Sequence, residues 1–221
     1  MLYHTRGIVL RSVKFSETSV IATIYTEKFG VQAYMINGVR SAKSKNKMSM
    51  LQPLTLLNMV VYHRENKNLQ RISEISFFRL FTTIPFDVMK SSIILFLAEI
   101  LNKALKEEES NPMLFEFLLE EMIKLDKVEG AANFHLRFLL RLAALLGFSP
   151  SSHFNGESYF DLQEGQFFDE QPSHPNFVNE PYSHYFHHFA FAPEETAQSL
   201  HLTNSERRVL LGDILMCWVL A

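Results

Sequence analysis

Cysteine is nearly absent from this chain, since Cys217 is the only one among 221 residues. A single thiol excludes an internal disulfide framework and a thiolate-rich zinc site. Long apolar runs are also missing, because stretches such as SSIILFLAEIL stay well below the roughly 20 residues that a membrane-spanning helix needs. The amino terminus, MLYHTRGIVL, lacks the layout of a secretory signal. We therefore expect a cytoplasmic protein without a membrane partner.

The usual catalytic motifs are missing as well. The sequence contains no phosphate-cradling glycine loop, no Gly-x-Ser-x-Gly elbow and no HExxH pair. Several histidines fall in one stretch, but their spacing matches no standard metal-ligand pattern; they are His153, His174, His184, His187 and His188. We expect neither catalytic activity nor a bound metal or cofactor.

Positive charge, by contrast, is concentrated at one end of the chain. Residues 1–80 contain 12 Lys and Arg against 4 Glu, a net charge of +8, while the remainder holds 9 basic and 20 acidic residues, a net charge of −11. The overall charge of −3 hides this division. A basic unit joined to an acidic one indicates that the first part meets a polyanion and the second part does something else.

The basic part has the pattern of β-strands. Five runs rich in Val, Ile, Tyr and Thr alternate with period two between turn or polar segments: TRGIVLRSVKF, TSVIATIYTE, VQAYMING, LTLLNMVVYHR and NLQRISEISFF. Five strands in about 80 residues predict a small barrel. Gly7 lies inside the first run, where a glycine often marks a bulge or a bend.

The rest of the chain is mainly helical. From Pro85 onward, three segments show apolar residues at i, i+3, i+4 spacing, and Ser110 or Asn111 can cap the second one, with Pro112 at its first position. Residues 149–192 lack a helical period, which predicts an irregular subdomain with a small hairpin, YFDLQEGQFF. The final helix opens with a capping box, TNSE.

The most basic stretch, GVRSAKSKNKMSM at residues 38–50, has two interpretations. Most lysine-rich stretches are solvated loops, yet this one connects two strands of a small basic barrel, and such barrels commonly bind single strands. We expect only one or two of the barrel's aromatic residues to face solvent and stack on bases. The candidates are Phe15, Tyr25, Phe29, Tyr34 and Tyr62. The predicted DNA-binding residues are Arg11, Lys14, Arg40, Lys43, Ser44, Lys45, Lys47, Arg64, Lys67 and Arg71.

These same segments resemble the bacterial recombination mediator RecO family. The family shows, in order, a G-I-V-L, an E-T, a T-x-x-x-G turn, a G-x-R basic loop and an L-Q-P, and this chain matches at Gly7, Glu17, Thr18, Thr26, Gly30, Gly38, Arg40, Ser44, Leu51, Gln52 and Pro53. The segment LRFLLRLAALLGFSP resembles the helix and turn that close the family's third helix. The resemblance covers essentially the whole chain.

The resemblance implies an α+β chain with two domains. Residues 1–80 would form a five-stranded OB-fold barrel that binds DNA, and residues 81–221 a helical domain for protein interaction. Family members bind single- and double-stranded DNA, anneal strands coated with single-strand binding protein, and work with RecR to load RecA, in bacterial cytoplasm at the nucleoid. In the family an apolar helical groove takes the acidic tail of single-strand binding protein, which here would lie around Arg137 and Arg141.

One departure from the family pattern stands in the irregular segment. Many members carry a four-cysteine zinc module after the third helix, whereas this chain has no cysteine there and keeps only the hairpin, so aromatic packing must hold it. Two other functions remain open. The barrel could dock an acidic partner and touch DNA only indirectly, or the chain could be a nuclease that cleaves DNA with a metal.

Overall fold

The computed structural model describes residues 1–39 and 48–220. Its first part is a closed five-stranded barrel with the strand order β1-β2-β3-β5-β4, which confirms the predicted barrel. The strands are β1 (Leu2–Lys14), β2 (Val20–Thr26), β3 (Gly30–Ile36), β4 (Leu56–Tyr62) and β5 (Leu69–Arg79). All neighbours are antiparallel except β3 and β5, which run parallel.

Alternation along the strands gives the barrel a largely apolar interior. In β2 and β3 every second side chain is buried, including Val20, Ile24 and Tyr34. The long strand β1 pairs with β4 along its first half and with β2 along its second half, and so closes the barrel. The bulge in β1 lies between Val9 and Arg11 rather than at Gly7.

Gly7 has a different role from the predicted bulge. A Cβ atom at this position would lie 2.6 Å from Met59 Cε and 2.7 Å from Ile24 Cγ2. The glycine therefore gives room to two core side chains that cross the barrel interior.

Helices α1 (Val88–Ala104) and α2 (Pro112–Lys127) belong to the same compact unit as the barrel, and this unit extends from Met1 to Val128. Asn111 caps α2 by accepting a hydrogen bond from the Leu114 amide at 3.0 Å, with Pro112 in the first turn, as the sequence predicts. The compact unit thus extends past residue 80, where the sequence places the domain boundary.

A buried carboxylate at the end of α2 accepts hydrogen bonds from the segment that follows β5. Asp126 is only 2% exposed and accepts hydrogen bonds from the backbone amides of Thr82, Thr83 and Ile84 at 2.8–3.1 Å. Burial alone raises the pKa of the Asp126 carboxyl, but the three amide donors outweigh it and lower the pKa to about 2. An acid in the last turn opposes the helix dipole, so its contact with residues 82–84 is what stabilises it there.

We expect Asp126→Asn to lower the free energy of unfolding by about 2–3 kcal/mol, because its amide group cannot accept all three bonds. The loss should shrink as the pH falls from about 4 toward 2, where the wild-type carboxylate becomes protonated and loses the same bonds. Urea unfolding of the wild type and the variant at several pH values measures this difference in the free energy of unfolding. Glu120→Gln, at an exposed position on the same helix, is the control and should leave stability nearly unchanged.

The second compact unit, Glu129–Ala221, contains four helices and a small sheet. The helices are α3 (Phe134–Leu145), α4 (Tyr182–Phe191), α5 (Glu194–Ser199) and α6 (Asn204–Leu220), and the strands are β6 (Tyr159–Asp161), β7 (Gln166–Phe168) and β8 (Phe177–Asn179). The predicted hairpin is present as β6 and β7. The predicted capping box is also present, since the Glu206 amide donates to Thr203 Oγ1 at 3.2 Å and the Thr203 amide to Glu206 Oε2 at 2.7 Å.

The segment 149–192 is less irregular than the sequence predicts. Helix α4 occupies its last part, although Tyr, His, Phe and Ser are weak helix formers, because its buried face packs on the sheet through contacts such as Phe186 with Phe160, whose ring centroids lie 5.0 Å apart. Phe154 stacks on His187 at 4.4 Å, and His174 Nε2 lies 2.9 Å from the buried carboxylate of Asp161. Aromatic packing thus holds this subdomain, as predicted.

Candidate nucleic-acid interface

The most basic predicted segment lies mostly outside the described residues. Arg40, Lys43, Ser44, Lys45 and Lys47 belong to residues 40–47, so their contribution stays a prediction. The residues on either side are well anchored, because Val39 is buried in the barrel core and Met48 packs against it. The chain enters this segment just after β3, whose last residue Ile36 lies opposite Val20 of β2.

Three of the predicted cations lie together at the β4–β5 hairpin. Arg64, Lys67 and Arg71 are exposed and, with Tyr62, line an open cavity of about 440 Å³. Arg71 is the cross-strand neighbour of Tyr62 in β4 and of Met35 in β3. This arrangement gives three positive charges next to an exposed aromatic ring, which is a combination that binds single-stranded nucleic acid.

The side chain of Gln70 holds this hairpin in shape. It is buried, and its Oε1 accepts a hydrogen bond from the Arg64 amide at 3.0 Å, while its Nε2 donates to the Arg64 and Lys67 carbonyls at 2.8 and 2.6 Å. Gln70 therefore positions the two residues that carry the cations. Sequence reasoning missed it, and the only signal was a polar residue at an inward-facing strand position.

The other two described cations lie in the second half of β1. Lys14 ends the strand opposite Val20, close to where the chain enters residues 40–47. Arg11 is exposed and lines a separate cavity of about 380 Å³ together with Leu95, Glu99 and Lys103 of α1. The structure therefore brings Arg64, Lys67 and Arg71 together and places Arg11 on the flank that faces α1.

Arg6 does not add to this surface. Its Nη2 atom lies 2.8 Å from Glu27 Oε1 and also pairs with Glu116 of α2. The hydrogen bonds that Arg6 donates to Glu27 and to Glu116 raise the pKa of Arg6 further, and the bond from the guanidinium lowers the pKa of Glu27. The charge of Arg6 is thus used to join the barrel to α2 and is offset by two carboxylates.

Two of the five candidate aromatic residues are exposed, in agreement with the expected one or two. Phe15 in the β1–β2 loop is 59% exposed and Tyr62 at the end of β4 is 45% exposed. Tyr34 is buried in the barrel core, Tyr25 is buried against Phe115 of α2 with ring centroids 6.0 Å apart, and Phe29 stacks on His63 with centroids 3.9 Å apart. Only Phe15 and Tyr62 of this set can therefore offer a ring to a base.

Arg137 and Arg141 lie one turn apart on α3 and are both half-buried. Arg137 Nη1 donates to the carbonyl of Ala192 at 2.8 Å and to that of Phe189 at 3.3 Å. These carbonyls are at the end of α4, where a cation interacts favourably with the helix dipole. Arg137 therefore has an internal role, and the predicted contact of this pair with a partner protein stays a prediction.

Two further properties concern membranes and metals. Across residues 1–39 and 48–220, no helix is both long enough and apolar enough to cross a membrane. In that same part of the chain, no three His, Cys, Asp or Glu side chains are grouped in a way that could hold a metal ion.

Comparison with known proteins shows to which family this chain belongs. The model of the recombination protein O N terminal region matches residues 1–81, and the model of its C terminal region matches residues 85–218. The chain is 32% identical to the DNA repair protein RecO of Azobacteroides pseudotrichonymphae over 217 residues, which cover 97% of this chain and 90% of that protein.

Two further relatives carry the same name. DNA repair protein RecO of Bacteroides fragilis is 39% identical over 181 residues, which cover 80% of this chain and 75% of the relative. The RecO protein of Flavobacterium psychrophilum is 32% identical over 213 residues, which cover 96% and 88%. With both halves of the chain matched in order, and with the OB-type barrel followed by helices, the chain belongs to the RecO family of bacterial DNA repair and recombination proteins.

Proposed function

We propose that this protein is a recombination mediator that binds single- and double-stranded DNA without sequence specificity and promotes the annealing of complementary strands. With RecR, it would assist RecA loading at the nucleoid onto strands coated by single-strand binding protein. The observation that carries the proposal is the exposed cluster of Arg64, Lys67 and Arg71 beside Tyr62 on the barrel.

Annealing requires no covalent chemistry, so a catalytic site is not part of the proposal. Two strands that approach each other repel through their phosphates, and a cationic surface lowers this repulsion by replacing condensed counterions. Contacts to phosphate carry no sequence information, so binding of this kind is independent of sequence.

The acidic part of the chain would serve for protein contacts, because its charge repels DNA. Residues 81–221 carry a net charge of −11. RecR and the acidic tail of single-strand binding protein are the proposed partners, and Arg137 and Arg141 are the residues proposed for the tail's carboxylates.

Replacing Arg64, Lys67 and Arg71 together by alanine tests the proposal. Affinity for a labelled single strand should fall about a hundredfold at about 0.1 M salt, and the slope of log K against log salt should become shallower by about 2, at about 0.7 per lost contact. Fluorescence anisotropy at several salt concentrations measures both quantities. The control variant has the same charge change at three other exposed positions. It replaces by alanine Lys103 on α1, Lys106 in the loop after α1, and Lys127 on α2.

The same titration separates the alternatives. If the wild-type protein shows no salt-sensitive binding to DNA, the barrel is instead an adaptor that docks an acidic protein. If the strand is cleaved when a divalent metal is added, the protein is a nuclease. Equal losses in the two triple variants would contradict a specific role of the hairpin cluster.

A further inference from the structure

The small sheet of the second compact unit has one buried face and one open face. Phe160, Phe167 and Val178 are paired across β6, β7 and β8, and all three are buried. Phe160 packs on Phe186 of α4, so this face is turned toward the helix. Side chains alternate between the two faces of a strand. The neighbours of these three residues along each strand therefore point away from α4.

Aromatic rings occupy the open face of this sheet. Tyr159 is the cross-strand neighbour of Phe168, and its ring centroid lies 5.6 Å from that of Phe177 in an edge-to-face arrangement. Phe168 is 38% exposed, and Tyr159 and Phe177 are partly exposed. We name these three residues the aromatic platform. With about 4.8 Å between adjacent strands, the platform is about 10 Å wide.

The charge around the aromatic platform is of one sign. Residues 142–206 contain nine Asp and Glu and no Lys or Arg. Asp169 and Glu170 directly follow Phe168, Glu164 lies in the turn between β6 and β7, and all three acids are exposed. In the part of the chain that the structure describes, none of these three carboxylates has an ion-pair partner. Three uncompensated negative charges therefore lie near the exposed rings.

Two other acids of the sheet are already bound within the subdomain. The carboxylate of Asp161 accepts hydrogen bonds from two turn amides and lies 2.9 Å from His174 Nε2. Glu180 accepts a hydrogen bond from Ser158 Oγ at 2.9 Å. These two acids therefore stabilise the sheet, whereas the three free carboxylates are available to a partner.

We propose that the aromatic platform docks a basic segment of a partner protein, with an Arg or Lys side chain over the rings of Phe168 and Tyr159. A cation over the face of an aromatic ring is attracted by the ring quadrupole, and the attraction grows where water is partly excluded. The three free carboxylates attract a basic segment and repel both DNA and an acidic segment. A width of about 10 Å fits two or three side chains of an extended chain and exceeds what one small cation covers. The platform belongs to the second compact unit, so this inference goes beyond the DNA binding proposed for the barrel.

Fluorescence anisotropy with the full chain and a labelled peptide tests the proposal. The peptide has about ten residues of alternating Arg and Ser, and its counterpart carries Glu in place of Arg. The Arg peptide should bind with a Kd on the order of 10–100 μM at low salt and more weakly as the salt concentration rises, whereas the Glu peptide should not bind. A Lys version should bind several-fold more weakly than the Arg peptide, because the planar guanidinium stacks on rings and the ammonium does not.

Three variants separate the roles of the ring and of the carboxylates. Phe168→Leu should lower the affinity for the Arg peptide about fivefold, because the ring is lost and most of the apolar area is kept, while Phe168→Tyr should keep the affinity. Asp169→Asn/Glu170→Gln should lower the affinity about tenfold and make its salt dependence weaker. The matched control is Glu108→Gln/Glu109→Gln, which removes two adjacent exposed carboxylates from the first compact unit and should have no effect.

Three outcomes would overturn the proposal. These are an unchanged affinity in Phe168→Leu, an equal loss of affinity in the two double variants, and displacement of the labelled Arg peptide by spermidine as effectively as by unlabelled Arg peptide. The last outcome would show that the platform binds small polyamines rather than a protein segment. Single-strand binding should stay the same in all of these variants, so failure here would leave the proposed function untouched.

Discussion

We expect a quadruple variant to bind a single strand several hundredfold more weakly than the wild type at about 0.1 M salt. In this variant alanine replaces Arg40, Lys43, Lys45 and Lys47. Each lost phosphate contact contributes about 0.7 to the salt slope, which is a factor of about 5 in affinity at this salt concentration. The slope should therefore become shallower by about 3. Anisotropy titrations between low and moderate salt measure both effects.

The reason to expect so large a change is that these four cations fall within eight residues and have no acid among them. Before the segment begins, β3 ends at Ile36, which lies opposite Val20 of β2, and Val20 is in turn the partner of Lys14 at the end of β1. The control has the same charge change at the end of β5, on α1, in the loop between α1 and α2, and on α2; it replaces Arg79, Lys103, Lys106 and Lys127 by alanine. Unaltered affinity in the first variant at moderate salt would count against the proposed function.

Gly30→Ala is expected to lower the free energy of unfolding of the barrel unit by about 3 kcal/mol or more. Gly30 has a φ of +59°, and a Cβ atom there would lie 2.4 Å from the Glu107 carbonyl oxygen and 2.5 Å from that of Glu109. The left-handed conformation alone costs about 1–2 kcal/mol for a residue with a Cβ, and the clash adds about 1–3 kcal/mol because a backbone must move. Urea or thermal unfolding measures the loss.

Gly38→Ala is the matched control for this prediction. Its φ of +70° imposes the same backbone cost, but among the described residues, apart from the two chain neighbours of Gly38, no atom lies within 4 Å of the added Cβ. We expect a loss of only about 1–2 kcal/mol. If both variants lose the same free energy of unfolding, the close approach of residues 107–109 to the start of β3 is not the reason that a glycine is needed at position 30.

The sequence alone predicts much of the fold, because period and caps are local signals. The period-two pattern predicts all five barrel strands, and the Asn111 cap and the TNSE capping box start their helices where predicted. Helix α4 was not predicted, since its aromatic residues and histidines are poor helix formers and its stability comes from packing on the small sheet. The role of Asp126 was also missed, because its partner Thr82 lies 44 residues away in the chain.

The candidate site was only partly predictable for a related reason. Composition identifies the cations, and Arg64, Lys67 and Arg71 are indeed close together, but the burial of Tyr34 and the exposure of Tyr62 depend on which face of each strand points inward. Tyr62 lies beside Arg71 only because β4 and β5 pair in one particular register, which period-two patterns in separate segments do not specify. Gln70 acts through backbone atoms of a turn, so no sequence motif marks it.

The hydrogen bonds that Asp126 accepts from the amides of residues 82–84 affect where the chain could be cut into fragments. A fragment that stopped at residue 81 would lack this carboxylate and also the 107–109 backbone against which Gly30 packs. It would expose Tyr25 and lose the Glu116 partner of Arg6. We therefore expect the smallest autonomous piece that carries the proposed nucleic-acid surface to end near residue 128, because a segment that the family comparison assigns to the C-terminal region stabilises the barrel.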